Sequence, residues 1–144
     1  MATKLQLAKQ YRVRGYGYAR TVLATFAQDY GLIQEAALRI SGRFGSGMSR
    51  ICEGCGVLTG AFTMIGHKPG SVATNETNKE TTYRLVADLA KRFEAKNGSI
   101  YCRELIGHDL SDPPKRAKVA QMELSTTICN NLLLDSVKLL EEML

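Results

Sequence analysis

The chain predicts an all-α fold: a compact helical bundle with a central apolar, glycine-rich helix. Three observations carry that prediction. Apolar residues recur at three- and four-residue steps along most of the 144 residues, the spacing of one helical face. No stretch alternates as a half-buried strand would. Glycine, Asn-Gly and Pro-Pro punctuation falls where such helices should stop. At this length a single domain, 1–144, accounts for the chain and can bury a core without disulfides.

The elements follow in order. Ala19, Val22, Leu23, Phe26, Ala27 and Tyr30 draw one stripe, and Gly31 ends it. A short helix over Gln34 to Ser41 carries Ala37, Leu38 and Ile40. Gly42-Arg43-Phe44-Gly45-Ser46-Gly47 then breaks the pattern. It lacks the Lys-Ser/Thr ending and preceding strand of a phosphate loop, so it reads as a turn. From Gly56 to Ile65 there is almost no polar face, which places that helix at the bundle centre. Gly56 and Gly60 strip bulk from one side of it, for a neighbouring helix or for a bulky inorganic group.

His67-Lys68-Pro69-Gly70-Ser71 reads as a loop. A long helix from about Asn78 to Lys96 follows, with Leu85, Val86, Leu89 and Phe93 on its buried stripe and Asn97-Gly98 closing it. Ser99 is placed to cap a short helix containing Cys102. Asp112-Pro113-Pro114 is a break. The last helix runs from near Ser125 to the C-terminus, and Cys129, Leu132, Leu133, Val137, Leu140 and Leu144 share its apolar face. Cys129 should therefore point inward.

Several function classes fall away. The net charge of +5 comes from dispersed residues: Arg12 and Arg14, then Arg43 and Arg50, then Lys115, Arg116 and Lys118. No interleaved aromatics accompany them, so a nucleic-acid partner is not expected. No apolar run is long enough to span a bilayer. The first ten residues lack the apolar core and cleavage site of a secretory signal, and a cytoplasmic location is expected. Asp29, Asp88 and Glu123 form no pair that spacing brings together, so hydrolytic acid–base chemistry has no support.

The chemistry rests on the four cysteines. In a reducing compartment they serve as ligands, transient redox partners or buried apolar groups rather than permanent disulfides. Cys52-Glu53-Gly54-Cys55-Gly56 places Cys55 at, or one residue before, the start of the apolar helix. Free N–H groups and the helix dipole there should favour a thiolate, the form needed for exchange or metal ligation. Gly54 and Gly56 let the backbone bend around the sulfurs, and Cys52 is near enough to resolve a disulfide or act as a second ligand.

No βαβ pattern surrounds this pair, so a thioredoxin fold is not expected. Structural zinc favours two closely spaced pairs, whereas Cys102 and Cys129 are twenty-seven residues apart. Iron–sulfur clusters tolerate such spacing. His67 and His108 each follow Ile-Gly, and both read as helix-end residues rather than ligands.

Gly15-Tyr16-Gly17-Tyr18-Ala19-Arg20, Phe44-Gly45-Ser46-Gly47-Met48, Gly54-Cys55-Gly56-Val57-Leu58-Thr59-Gly60, Cys102-Arg103-Glu104-Leu105-Ile106-Gly107 and Cys129 together carry a resemblance. Over nearly its whole length the chain resembles the redox-active protein family named for its C_GCAxxG_C_C pattern. The resemblance implies a small, helical, prokaryotic redox protein with Cys55, Cys102 and Cys129 at its site. No Cys-x-x-Cys-His is present, so haem is not implied. Family members commonly carry a cysteine where this chain has Tyr18. Cys52 would then supply the fourth sulfur by turning into the same cavity.

Three functions are carried forward. In the first, Cys52, Cys55, Cys102 and Cys129 gather into an electron-transfer or redox-sensing site that holds an iron–sulfur cluster, with Gly54, Gly56 and Gly60 giving it room. In the second, no metal is involved, and Cys52 and Cys55 exchange thiol and disulfide with a partner. In the third, the protein is a non-catalytic helical interaction module whose cysteines fill the core. A redox partner protein is expected, a homo-oligomer is compatible with the sequence, and enzymatic activity is left open.

Overall fold

The computed structural model describes residues 1–68 and 76–144. Helices joined by turns make up those residues, with no strand and one isolated antiparallel bridge between Gly54 and Tyr101. Thr3 begins α1 (Lys4–Val13) through a capping box: its hydroxyl accepts from the Gln6 N–H, and the Gln6 side chain accepts from the Thr3 N–H. α2 (Tyr18–Ala27) runs into a 3-10 turn, Gln28–Tyr30, that ends at Gly31. α3 (Gln34–Ser41) has the predicted bounds. A single turn, α4 (Gly45–Met48), precedes α5 (Gly56–His67). α6 (Glu76–Asn97) is the long helix, and α7 (Cys102–Ile106) and α8 (Pro113–Gln121) are short. A π turn, Ser125–Cys129, leads into α9 (Asn130–Met143).

α2 is buried on almost every side, from Thr21 through Ala27. Its two buried threonines are satisfied within the helix, Thr21 donating to the Gly17 carbonyl at 2.8 Å and Thr25 to the Thr21 carbonyl at 2.7 Å. α2 packs on α1, α3 and α5, and α9 packs on α1, α5 and α6. The approach of α2 to α5 explains Gly60. A methyl group there would stand 3.1 Å from the Ala19 carbonyl oxygen and 3.2 Å from Val22 and Leu23 side-chain carbons. At Gly56 the same test meets the Phe44 carbonyl oxygen at 3.0 Å and the Gly45 Cα at 3.2 Å. Neighbouring chain thus fills the space beside both glycines. Phe26, Leu58, Met64, Leu89, Phe93, Leu133 and Leu140 make the main core. The Ser136 hydroxyl pins α9 to α5 by donating to the Val57 carbonyl at 2.8 Å.

Three local expectations change, and a fourth lies largely outside the described residues. α5 continues through Gly66 to His67, whose Nε2 lies 3.1 Å from the Tyr30 carbonyl and holds the last turn in place. The loop expected after it falls largely on residues 69–75, outside the described residues. Ser99 does not cap α7; its hydroxyl accepts the Tyr101 N–H at 3.0 Å, and Tyr101 occupies the cap position. Asp112-Pro113-Pro114 begins a helix as well as breaking the chain. Proline fits the first helical turn, where its missing N–H has no intrahelical partner, and Asp112 ahead of it is extended as a pre-proline residue should be.

Candidate functional site

The segment ahead of the cysteines is wound the wrong way. Ser46, Gly47, Met48, Ser49 and Arg50 all have φ between 57° and 72°. Their N–H groups keep helical bonding, with Met48 donating to the Phe44 carbonyl at 3.0 Å, Ser49 to Gly45 at 2.9 Å and Arg50 to Ser46 at 3.1 Å. This is a turn of left-handed α-helix, a conformation costing about 1–2 kcal/mol per L-residue. Gly47 shows what it achieves. A methyl group there would lie 2.7 Å from both the Cys102 Cβ and the Cys52 Cα. The reversed turn lays bare backbone directly on two cysteines, and Cys52 itself has φ of 66°. Backbone strain of this kind concentrates at functional sites.

Next, residues 52–55 run beside residues 100–103. The Cys55 N–H donates to the Ile100 carbonyl at 3.0 Å, the Cys102 N–H to Glu53 at 2.6 Å and the Arg103 N–H to Cys52 at 3.3 Å. Arg103 adds a staple that sequence reasoning missed. Its guanidinium donates to the Cys52 carbonyl at 3.1 Å, the Ile51 carbonyl at 3.3 Å and the Glu53 carboxylate at 2.6 Å. Nothing local in the sequence signals these contacts, because about fifty residues separate the partners.

All four cysteines are free. Cys52 is fully buried; its Sγ donates to the His108 carbonyl at 3.4 Å and accepts the Leu110 N–H at 3.5 Å. Cys102 is 6% exposed and shares with Cys52 a small cluster closed by Ile106, Leu110 and Val119, with half-buried Cys129 packed against it. Cys55 is the N-cap of α5, as predicted, and belongs to the main core instead.

The thiols feel one another. Burial pushes the Cys102 thiol strongly upward, and Cys52, Cys55 and Cys129 each push it further, Cys52 also through a thiol–thiol hydrogen bond. Burial, then Cys55, raise Cys129 to about 12, against the pull of Arg12. The expected activation of Cys55 is overturned. The Val57 and Leu58 N–H groups at the helix start do pull its pKa down, but burial outweighs them and leaves it raised.

Sulfurs from three separate segments therefore meet, with Cys52 and Cys102 in contact and Cys55 and Cys129 beside them. Among the described residues, no three His, Cys, Asp or Glu side chains are arranged to hold a metal ion. Both histidine rings lie on backbone carbonyls, His67 on Tyr30 and His108 on Ile106. Tyr18 borders the site. Its hydroxyl donates to the Ser125 carbonyl at 2.6 Å, with the Asn130 amide 3.1 Å away, and the Arg12 guanidinium stacks 3.9 Å over its ring. Burial raises the phenol, Arg12 opposes that, and Cys129 adds to it, so the two side chains are neighbours.

Residues 16–143 match the family model described as "Putative redox-active protein (C_GCAxxG_C_C)". No curated protein and no solved structure matches the chain.

Proposed function

Because the chain belongs to the C_GCAxxG_C_C family of redox-active proteins, we propose that its chemistry resides in the sulfurs of Cys52, Cys55, Cys102 and Cys129, acting as an electron-transfer or redox-sensing site for a partner protein. One observation carries this reading: Cys52 and Cys102 share one buried cluster with Cys129 packed against it, and Cys55 stands near enough to act on the Cys102 thiol. Core-filling cysteines have no reason to crowd in this way. The other three thiols oppose ionisation of Cys102, and Cys55 opposes that of Cys129. A charged form there calls for a neighbouring cation, whereas a sulfur–sulfur bond removes the charge altogether.

Iron–sulfur ligation is the second form of the proposal. The donor chemistry fits, since four cysteines are the usual ligand set. The arrangement does not fit, because among the described residues no three donors converge at metal-binding range, and the space beside Gly56 and Gly60 is filled by α4 and α2. A cluster would supply one-electron chemistry; the protein would supply Cys52, Cys55, Cys102 and Cys129 as ligands, drawn closer together than they stand here.

Anaerobic purification with iron and sulfide analysis, followed by thiol titration before and after mild oxidation, tests the proposal. Bound iron with sulfide supports the cluster form, and loss of two thiols supports the metal-free form. Folded protein showing neither would leave cysteines that only pack. In that case Cys55→Ser and Cys102→Ser would each cost about 1–3 kcal/mol of stability and nothing else.

A further inference from the structure

We propose that the thiols that cycle are those of Cys52 and Cys102, not the closely spaced Cys52 and Cys55, and that they become a disulfide by reducing a disulfide of the partner. This rests on the redox reading above and names the pair that performs it. The Cys52 Cα and the Cys102 Cβ each lie 2.7 Å from the point where a Gly47 side chain would begin, so they are within about 5.4 Å of each other, twice that distance. Adding the one bond from Cβ to Cα of Cys102 keeps the two Cα atoms within about 7 Å, a limit that spans the roughly 4.4–6.8 Å a disulfide needs.

Three further observations agree. The Arg103 N–H to Cys52 carbonyl and Cys102 N–H to Glu53 carbonyl bonds lock the two segments in register. Cys52 and Cys102 share one side-chain cluster, whereas Cys55 packs into the other. Cys55 is also committed at its backbone, its N–H to Ile100 and its carbonyl to the first turn of α5.

Cys102 reacts first, because a small part of it reaches solvent and Cys52 is fully covered. Cys102 releases its proton to solvent, and its sulfur attacks one sulfur of the partner disulfide. A mixed disulfide forms, and the departing partner thiolate takes up a proton. Cys52 then loses its proton and displaces the second partner sulfur, which is protonated in turn. Two S–H bonds and one partner S–S bond are broken; one S–S bond and two partner S–H bonds are made. Two electrons pass from this protein to the partner.

The test treats full-length, reduced, chelator-treated protein with oxidised glutathione and maps peptides without reduction. Cleavage after Arg50 and Arg103 separates Cys102 from the peptide holding Cys52 and Cys55. The expected product is a Cys52–Cys102 cross-link, two hydrogens lighter, in both the wild type and Cys55→Ser. Cys52→Ser should stop at a glutathione adduct on Cys102, with helical circular dichroism confirming that each variant is folded. A Cys52–Cys55 link, or any other pairing, overturns the assignment while leaving the redox reading intact. Four unmodified thiols overturn the assignment too, and they sink the redox reading only if anaerobically purified protein is also iron-free.

Discussion

Gly47 and Cys129 test the site residue by residue. Gly47→Ala must place a methyl group 2.7 Å from atoms of Cys52 and Cys102 while holding φ of 66°. Urea denaturation should show a loss of about 2–4 kcal/mol, from overpacking and backbone strain together. Gly54→Ala, whose methyl would meet only Thr59 at an ordinary 3.6 Å, should cost less than about 1 kcal/mol. Cys129 makes a pH prediction. Its native pKa, about 12, exceeds the ordinary value of 9.0, so above that ordinary value the unfolded chain releases a proton that the native protein retains. Its contribution to stability is complete below pH 9 and is lost as pH rises toward 12. Chemical denaturation across that window should show stability falling with pH, and Cys129→Ala should flatten the fall. Iodoacetamide at neutral pH should label the native thiols far more slowly than the unfolded ones.

Among the elements, the π turn Ser125–Cys129 is held by Tyr18 from across the bundle. Tyr18→Phe keeps the ring under Arg12 and removes the hydroxyl's 2.6 Å bond to the Ser125 carbonyl and its 3.1 Å contact with the Asn130 amide oxygen. The expected result is a loss of about 1 kcal/mol and faster alkylation of Cys129 than in the wild type. The helices differ in how far the sequence announces them, for physical reasons. α2, α3, α6 and α9 each bury a repeating stripe, and periodicity finds them. α8 buries Val119 alone, so no stripe exists to find, and its one signal is proline at the helix start, which also reads as a stop. The left-handed turn has no local signature. Serine, methionine and arginine do not favour that winding, and only contact with Cys52 and Cys102 explains it. Cysteine order and the position of Cys55 were legible. The approach of Cys52 to Cys102 was expected only through the family resemblance, because local pattern cannot reach across about fifty residues. Cys55's raised pKa was not legible, because burial cannot be read from a helix start.

For the whole molecule, charge governs approach. The chain carries +5, and Arg103, Lys115 and Lys118, set against the one carboxylate of Asp109, line a cleft beside the segment that covers Cys52. Anionic oxidised glutathione should therefore oxidise the protein more slowly as salt rises, by several-fold between about 10 mM and 500 mM, as screening shortens the reach of surface charge. A cationic disulfide such as cystamine should show the opposite trend in stopped-flow or quenched mass analysis. No described helix is long and apolar enough to cross a membrane, and the thiols divide between two core clusters, Cys55 in the larger and Cys52 and Cys102 in the smaller.

The reversed turn also fixes an order of events. Isolated, residues 44–52 would relax to right-handed or extended backbone within nanoseconds, because their own chemistry disfavours the winding. It persists only once α7 has docked and carried Cys102 against Gly47. The thiol site then forms with or after the docking of α7, so on warming the site chemistry should be lost no later than the helix signal.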